Sequence, residues 1–210
     1  MGAGNSTYWN AVEQWSPTLF LAGGGLLVGH AAVQGIKAFT AMTTPPDLFV
    51  TTGHLVALLG LLGLYPVLVD RTPRLARVAV AVAAIPLAGW VVMTATQFLT
   101  VAGVVPSMTD ALPGAVGMLV AVSTALTYVL FGVATLRVGG DSRTVGVLVL
   151  APAALIVVLL VASLVMEASA ILGLIIGGGF ALSMLALGAR LRSWDRRTEY
   201  TAPTTDATAG

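Results

Sequence analysis

Six long apolar stretches alternate with short polar breaks along the chain, at about residues 17–38, 48–69, 76–98, 112–137, 144–166 and 169–191. Each is long enough to cross a hydrocarbon layer, which takes roughly 20 helical residues. The pattern predicts an all-α fold, with six transmembrane helices in one bundle spanning residues 17–192. Residues 1–16, with Tyr8, Trp9 and Trp15, read as an interfacial or cytoplasmic segment ahead of the first span. Residues 193–210 are polar and rich in Thr, Ala and Pro, the composition of a flexible tail.

Three prolines and one polar triplet qualify this pattern. Pro86 and Pro152 lie inside the third and fifth stretches, where each removes one backbone hydrogen bond and is expected to bend its helix. Pro66 follows Tyr65 near the end of the second stretch and is expected to kink it or end its regular part. The last two stretches are nearly continuous and too long together for one span. Glu167-Ala168-Ser169 therefore reads as a tight hairpin turn.

Composition names the solvent. Hydrophobic residues make up 57% of the chain and charged residues only 9%. So few charges do not cover the surface of a water-soluble fold, so the solvent is lipid. A net charge of +1 gives no argument for nucleic acid as a partner. The chain has no cysteine, which removes disulfides, thiolate metal sites and cysteine nucleophiles.

The placement of the basic residues orients the spans. Arg71, Arg74 and Arg77 lie between the second and third stretches, and Arg137 and Arg143 between the fourth and fifth. Arg190, Arg192, Arg196 and Arg197 follow the sixth. All fall on one side of a six-span chain, and Lys37 is the sole base on the other. By the positive-inside rule both termini are cytoplasmic. The expected setting is the plasma membrane of a prokaryote, the source also suggested by the Arg-over-Lys and Ala/Val/Leu/Gly bias.

Polar residues within the spans give the candidate chemistry. His30, Gln34 and Lys37 recur at helical spacing on one face of the first span, and Asp47, Thr51 and His54 on one face of the second. If these spans are neighbours, as their short connection favours, the rows face each other. His30 and His54 then lie within about one helical turn of depth, roughly 5 Å, and point inward. Trp90, Thr94 and Gln97 form a similar row on the third span, and Ser123, Thr124 and Tyr128 add polarity from the fourth. The expectation is a pocket holding Gln34, Lys37, Asp47, Thr51, Gln97 and Tyr128 around the histidines, opening outward.

Glycines supply the expected packing surfaces. Gly25 and Gly29 stand four apart in the first span, and Gly173 and Gly177 do so in the sixth. Glycines at that spacing share a helix face and let another backbone approach closely. The two patterns are nearly mirror images, so antiparallel first and sixth spans are expected to pack on them.

Three readings of the histidine pair compete. In the first, interhelical hydrogen bonds to Gln34, Thr51 or Tyr128 satisfy the imidazoles. In the second, the pocket holds a ligand or handles protons, because ionisable groups inside a membrane are costly and often functional. In the third, His30 and His54 are axial ligands of a b-type haem. No HExxH, in-span carboxylate pair or nucleophile with its base is visible, so no catalytic residue and no metal site are assigned. The leading functional expectation is a non-enzymatic accessory or scaffold subunit, with the bilayer and a membrane-protein partner or second copy around it. The alternatives are a haem- or quinone-linked electron carrier using His30 and His54, and a small transporter.

Overall fold

A backbone in hydrocarbon must close its own hydrogen bonds, and the Ala- and Leu-rich stretches do so by coiling. The computed structural model describes residues 3–40, 48–105, 114–139, 142–165 and 170–200, with side chains placed between residues 13 and 193 of those ranges. Every element in them is helical: α1 (Ala3–Phe39), α2 (Leu48–Leu62), α3 (Tyr65–Arg71), α4 (Pro73–Val101), α5 (Gly114–Val138), α6 (Ser142–Val165) and α7 (Ala170–Tyr200). Six spans are long and apolar enough to cross a membrane, with α2 and α3 sharing the one from Leu48 to Arg71. Val92, Phe98, Leu126, Val158 and Leu182 point away from the interior, a surface that suits lipid rather than water.

The second span breaks where Pro66 dictates. Gly63 and Leu64 tighten into turns, their amides donating to the Gly60 and Leu61 carbonyls at 3.1 Å each. Pro66 then sits in the first turn of α3, where a missing N–H costs little. The buried Ser16 hydroxyl of α1 donates to the Gly60 carbonyl at 2.8 Å and pins the break. Pro86 and Pro152, by contrast, lie inside α4 and α6, which continue through them.

The first and last helices extend beyond their spans. The segment ahead of the first span is the same helix continued back to Ala3 through Pro17, and the span proper runs from Glu13 to Phe39. At the other end α7 continues to Tyr200. The Glu167-Ala168-Ser169 turn and residues 201–210 lie outside the described residues.

The spans close into a ring. Each packs against its neighbour in sequence, from α1 on α2 and α2 on α4 through α6 on α7. The most extensive contact joins α7 back to α1. The α1–α7 seam runs antiparallel, setting Leu21 against Gly188, Gly24 against Leu185, His30 against Gly177 and Gln34 against Gly173. Inside the ring, Phe20, Leu58, Leu61, Tyr128, Phe131, Met184 and Leu187 are fully buried and form the core.

Close approach at the seams depends on glycine, though not on every glycine expected. A Cβ added at Gly23 would stand 3.0 Å from the Gly53 carbonyl oxygen and 3.1 Å from the Ala57 nitrogen of α2. One at Gly24 would stand 2.9 Å from Leu185 of α7. Gly29 abuts Phe49, and Gly173 and Gly177 abut Gln34 and His30. Gly25, expected as a packing residue, is exposed with nothing near it. The cause is helical phase: three consecutive glycines point about 100° apart, so only two of them reach α2 and α7.

Candidate functional site

The imidazole of His54 is fixed from three sides. Its Nδ1 lies 2.7 Å from the Val50 carbonyl oxygen one turn back. A carbonyl only accepts, so Nδ1 carries the hydrogen, and in the neutral ring Nε2 is then an acceptor. One face of the ring stacks on Trp90 of α4, with centroids 4.5 Å apart and planes 11° from parallel. Phe180 of α7 closes on it with centroids 4.9 Å apart, tilted by 58°.

His30 reaches the same level from α1. Its ring occupies the space left by Gly177, where an added Cβ would stand 2.9 Å from Cδ2 and 3.4 Å from Nε2. Gln34 uses Gly173 in the same way one turn along, its Oε1 being 3.2 Å from the added Cβ. The polar row of α1 thus sits on the glycine face of α7. Gly173 and Gly177 make room for polar side chains as well as for backbone.

The two histidines line one partly open cavity of about 160 Å³. Leu27 and His30 come from α1, Val50 and His54 from α2, Trp90 from α4, and Ala121 and Thr124 from α5. Ile156 and Leu159 of α6 and a strip of α7 complete the wall, so all six spans contribute. Most polar groups in this wall already have partners within it. Trp90 Nε1 donates to Thr124 Oγ1 at 2.9 Å, and the Thr124 hydroxyl donates to the Val120 carbonyl at 2.6 Å.

Among the described residues, the other expected pocket residues do not line this cavity. Gln34 stands against Gly173, and Lys37 is exposed. Thr51 is buried with its hydroxyl 3.4 Å from the Leu48 carbonyl of its own helix. Gln97 is buried on α4 away from the cavity wall. The Tyr128 hydroxyl donates to Met184 Sδ at 3.9 Å in the core. Asp47 lies outside the described residues. Among the described residues, the cavity flanked by the two imidazoles is mainly apolar. The sequence reading missed Phe180, and it took Trp90 for a polar neighbour rather than a stacking platform.

One polar atom near this level has no partner. Thr94 Oγ1 is buried without a hydrogen bond among the described residues. A buried hydroxyl gains nothing there and has lost its solvation. Thr94→Val keeps the shape and removes that cost, so we expect unchanged or higher stability, by up to about 1 kcal/mol. Thermal unfolding in detergent micelles checks this, and a drop of that size would show that the hydroxyl is bonded.

In this structure the cavity between the histidines is smaller than a b-type haem. Pockets for drug-sized ligands run from about 300 Å³ upward, and a porphyrin with its side chains needs more space than the 160 Å³ present. No protein-family model, curated protein or solved structure matches this chain.

Proposed function

We propose that this chain is a prokaryotic cell-membrane protein, its termini cytoplasmic, that binds a small molecule between His30 and His54 without transforming it. The observation that carries this reading is the cavity of about 160 Å³ walled by all six spans. An apolar protein cavity of about 150 Å³ takes one benzene molecule, which sets the size of the occupant. Trp90 and Thr124 spend their polar atoms on each other and on backbone. His54 Nε2 is then the acceptor available to a ligand, which selects a donor. The class that fits is a single-ring molecule bearing a hydroxyl, phenol being the simplest example and a quinol head a larger relative.

Fluorine NMR with 4-fluorophenol in nanodiscs tests the reading. A saturable bound resonance is expected with the native chain and not with Ala121→Leu, which fills the cavity from the α5 wall. Fluorobenzene is expected to bind at least fivefold more weakly, the effect of about one hydrogen bond. Equal binding of the two probes would remove the histidines from the site. A bound resonance from Ala121→Leu equal to that of the native chain would remove the cavity.

The accessory-subunit reading draws on a different surface. Thr18, Ala22, Gly25 and Ala32 are exposed on α1, small residues turned away from the ring. Such a face lets a foreign helix approach closely. Under this reading Gly25→Leu abolishes association in the membrane while the isolated chain folds normally.

A further inference from the structure

Three arginines meet at the end of the bundle opposite the Lys37 end of α1, where no function has yet been given to them. Arg71 ends α3, Arg74 opens α4 and Arg137 lies in the last turn of α5. The three line one open cavity of about 520 Å³ together with Thr72, Pro73, Leu75 and Val78. We propose that this cavity binds the headgroup of an anionic phospholipid, its phosphate held by the three guanidinium groups.

The fold creates the convergence. The α3–α4 connection is Thr72 alone, whose amide still donates to the Leu68 carbonyl at 2.7 Å while its carbonyl accepts from Ala76 at 2.9 Å. So tight a turn holds Arg71 and Arg74 on adjacent helix ends. Contacts of α3 with α5 bring Arg137 beside them. Among the described residues, none of the three forms an ion pair or hydrogen bond with a carboxylate. Asp70, the nearest acid in sequence, is exposed and does not line the cavity.

Charge and walls together select the ligand. Guanidinium groups match the geometry of a phosphate and bind it with two hydrogen bonds apiece. Leu75 and the exposed Val78 continue the wall as an apolar surface toward the hydrocarbon. A soluble phosphate would use the first feature and waste the second; a phospholipid uses both. Basic pockets between spans on the cytoplasmic side are suited to anionic headgroups, at about 1 kcal/mol for each arginine.

The test uses the full chain in detergent, with native mass spectrometry reading lipids retained after titration with phosphatidylglycerol or phosphatidylcholine. One phosphatidylglycerol is expected to bind in preference to phosphatidylcholine. Each of Arg71→Gln, Arg74→Gln and Arg137→Gln is expected to weaken that preference about fivefold, the ratio that 1 kcal/mol represents. Arg190→Gln removes the same charge outside the cavity and is expected to leave the preference unchanged. Circular dichroism of each variant separates a lost site from a lost fold, and the single variants can be compared at equal helix content. Equal losses from Arg190→Gln and the cavity variants would overturn the proposal, leaving a diffuse charge effect. Glycerol phosphate competing as well as phosphatidylglycerol would overturn the lipid assignment in favour of a free phosphate.

Discussion

Gly23→Leu is expected to cost about 3 kcal/mol, the upper end of what overpacking a fitted interface usually costs. The atoms facing Gly23 are the Gly53 carbonyl oxygen and the Ala57 nitrogen and Cα, at 3.0 to 3.3 Å from an added Cβ. All three are backbone, so no side chain can rotate away, and α1 must part from α2 along its length. Lipid offers no hydrophobic penalty to oppose that separation, since the association rests on close packing. Gly24→Leu meets Leu185 of α7, including its backbone nitrogen at 3.0 Å, and is expected to destabilise as well. Gly25→Leu meets nothing, and losing a helical glycine offsets any small cost, so its effect is expected within 0.5 kcal/mol of zero, roughly the range for exposed sites. Unfolding of the three variants in mixed micelles checks the order. A penalty at Gly25 equal to that at Gly23 would mean that the seam has been placed on the wrong face.

That series also marks what one-dimensional reading can reach. The existence and number of spans follow from apolar length, because hydrocarbon leaves a backbone no option but to coil. The convergence of His30 and His54 follows from helical spacing and a short hairpin, and both do line one cavity. The choice among Gly23, Gly24 and Gly25 does not follow from spacing. It depends on the angle between α2 and α7 around α1, which is set by contacts between residues more than a hundred positions apart. Phe180 was invisible for the same reason, since α7 reaches His54 only when the ring closes. Tyr128 and Gln97 look alike to a reader of polar residues, yet one spends its hydroxyl on Met184 and the other lies off the wall. Polar residues in a span report that a partner exists; they do not say which helix supplies it.

Trp90→Ala is expected to cost about 3 kcal/mol and to release His54. The indole is nearly buried, lies parallel to the imidazole at 4.5 Å, and ties α4 to α5 through Thr124. Truncating a buried tryptophan costs 3–5 kcal/mol in soluble cores. The lower end applies here because lipid replaces part of the lost apolar environment. Trp90→Phe separates the two contributions, keeping a ring for His54 while losing the bond to Thr124. Its cost is expected near 0.6 kcal/mol, the average for an interhelical hydrogen bond in a membrane, plus a small loss from the reduced ring. Stacked aromatic pairs contribute about 0.5–1.5 kcal/mol beyond burial, so most of the difference between the variants reports packing around the imidazole. Nitrogen NMR of labelled histidine gives the second measurement. His54 signals should keep their position in Trp90→Phe and broaden or move in Trp90→Ala, where Phe180 alone limits the ring. If Trp90→Ala costs under 1 kcal/mol and leaves those signals in place, the Val50 carbonyl and Phe180 suffice to hold His54. The orientation of its free nitrogen would then be set within α2 and by α7, without the indole.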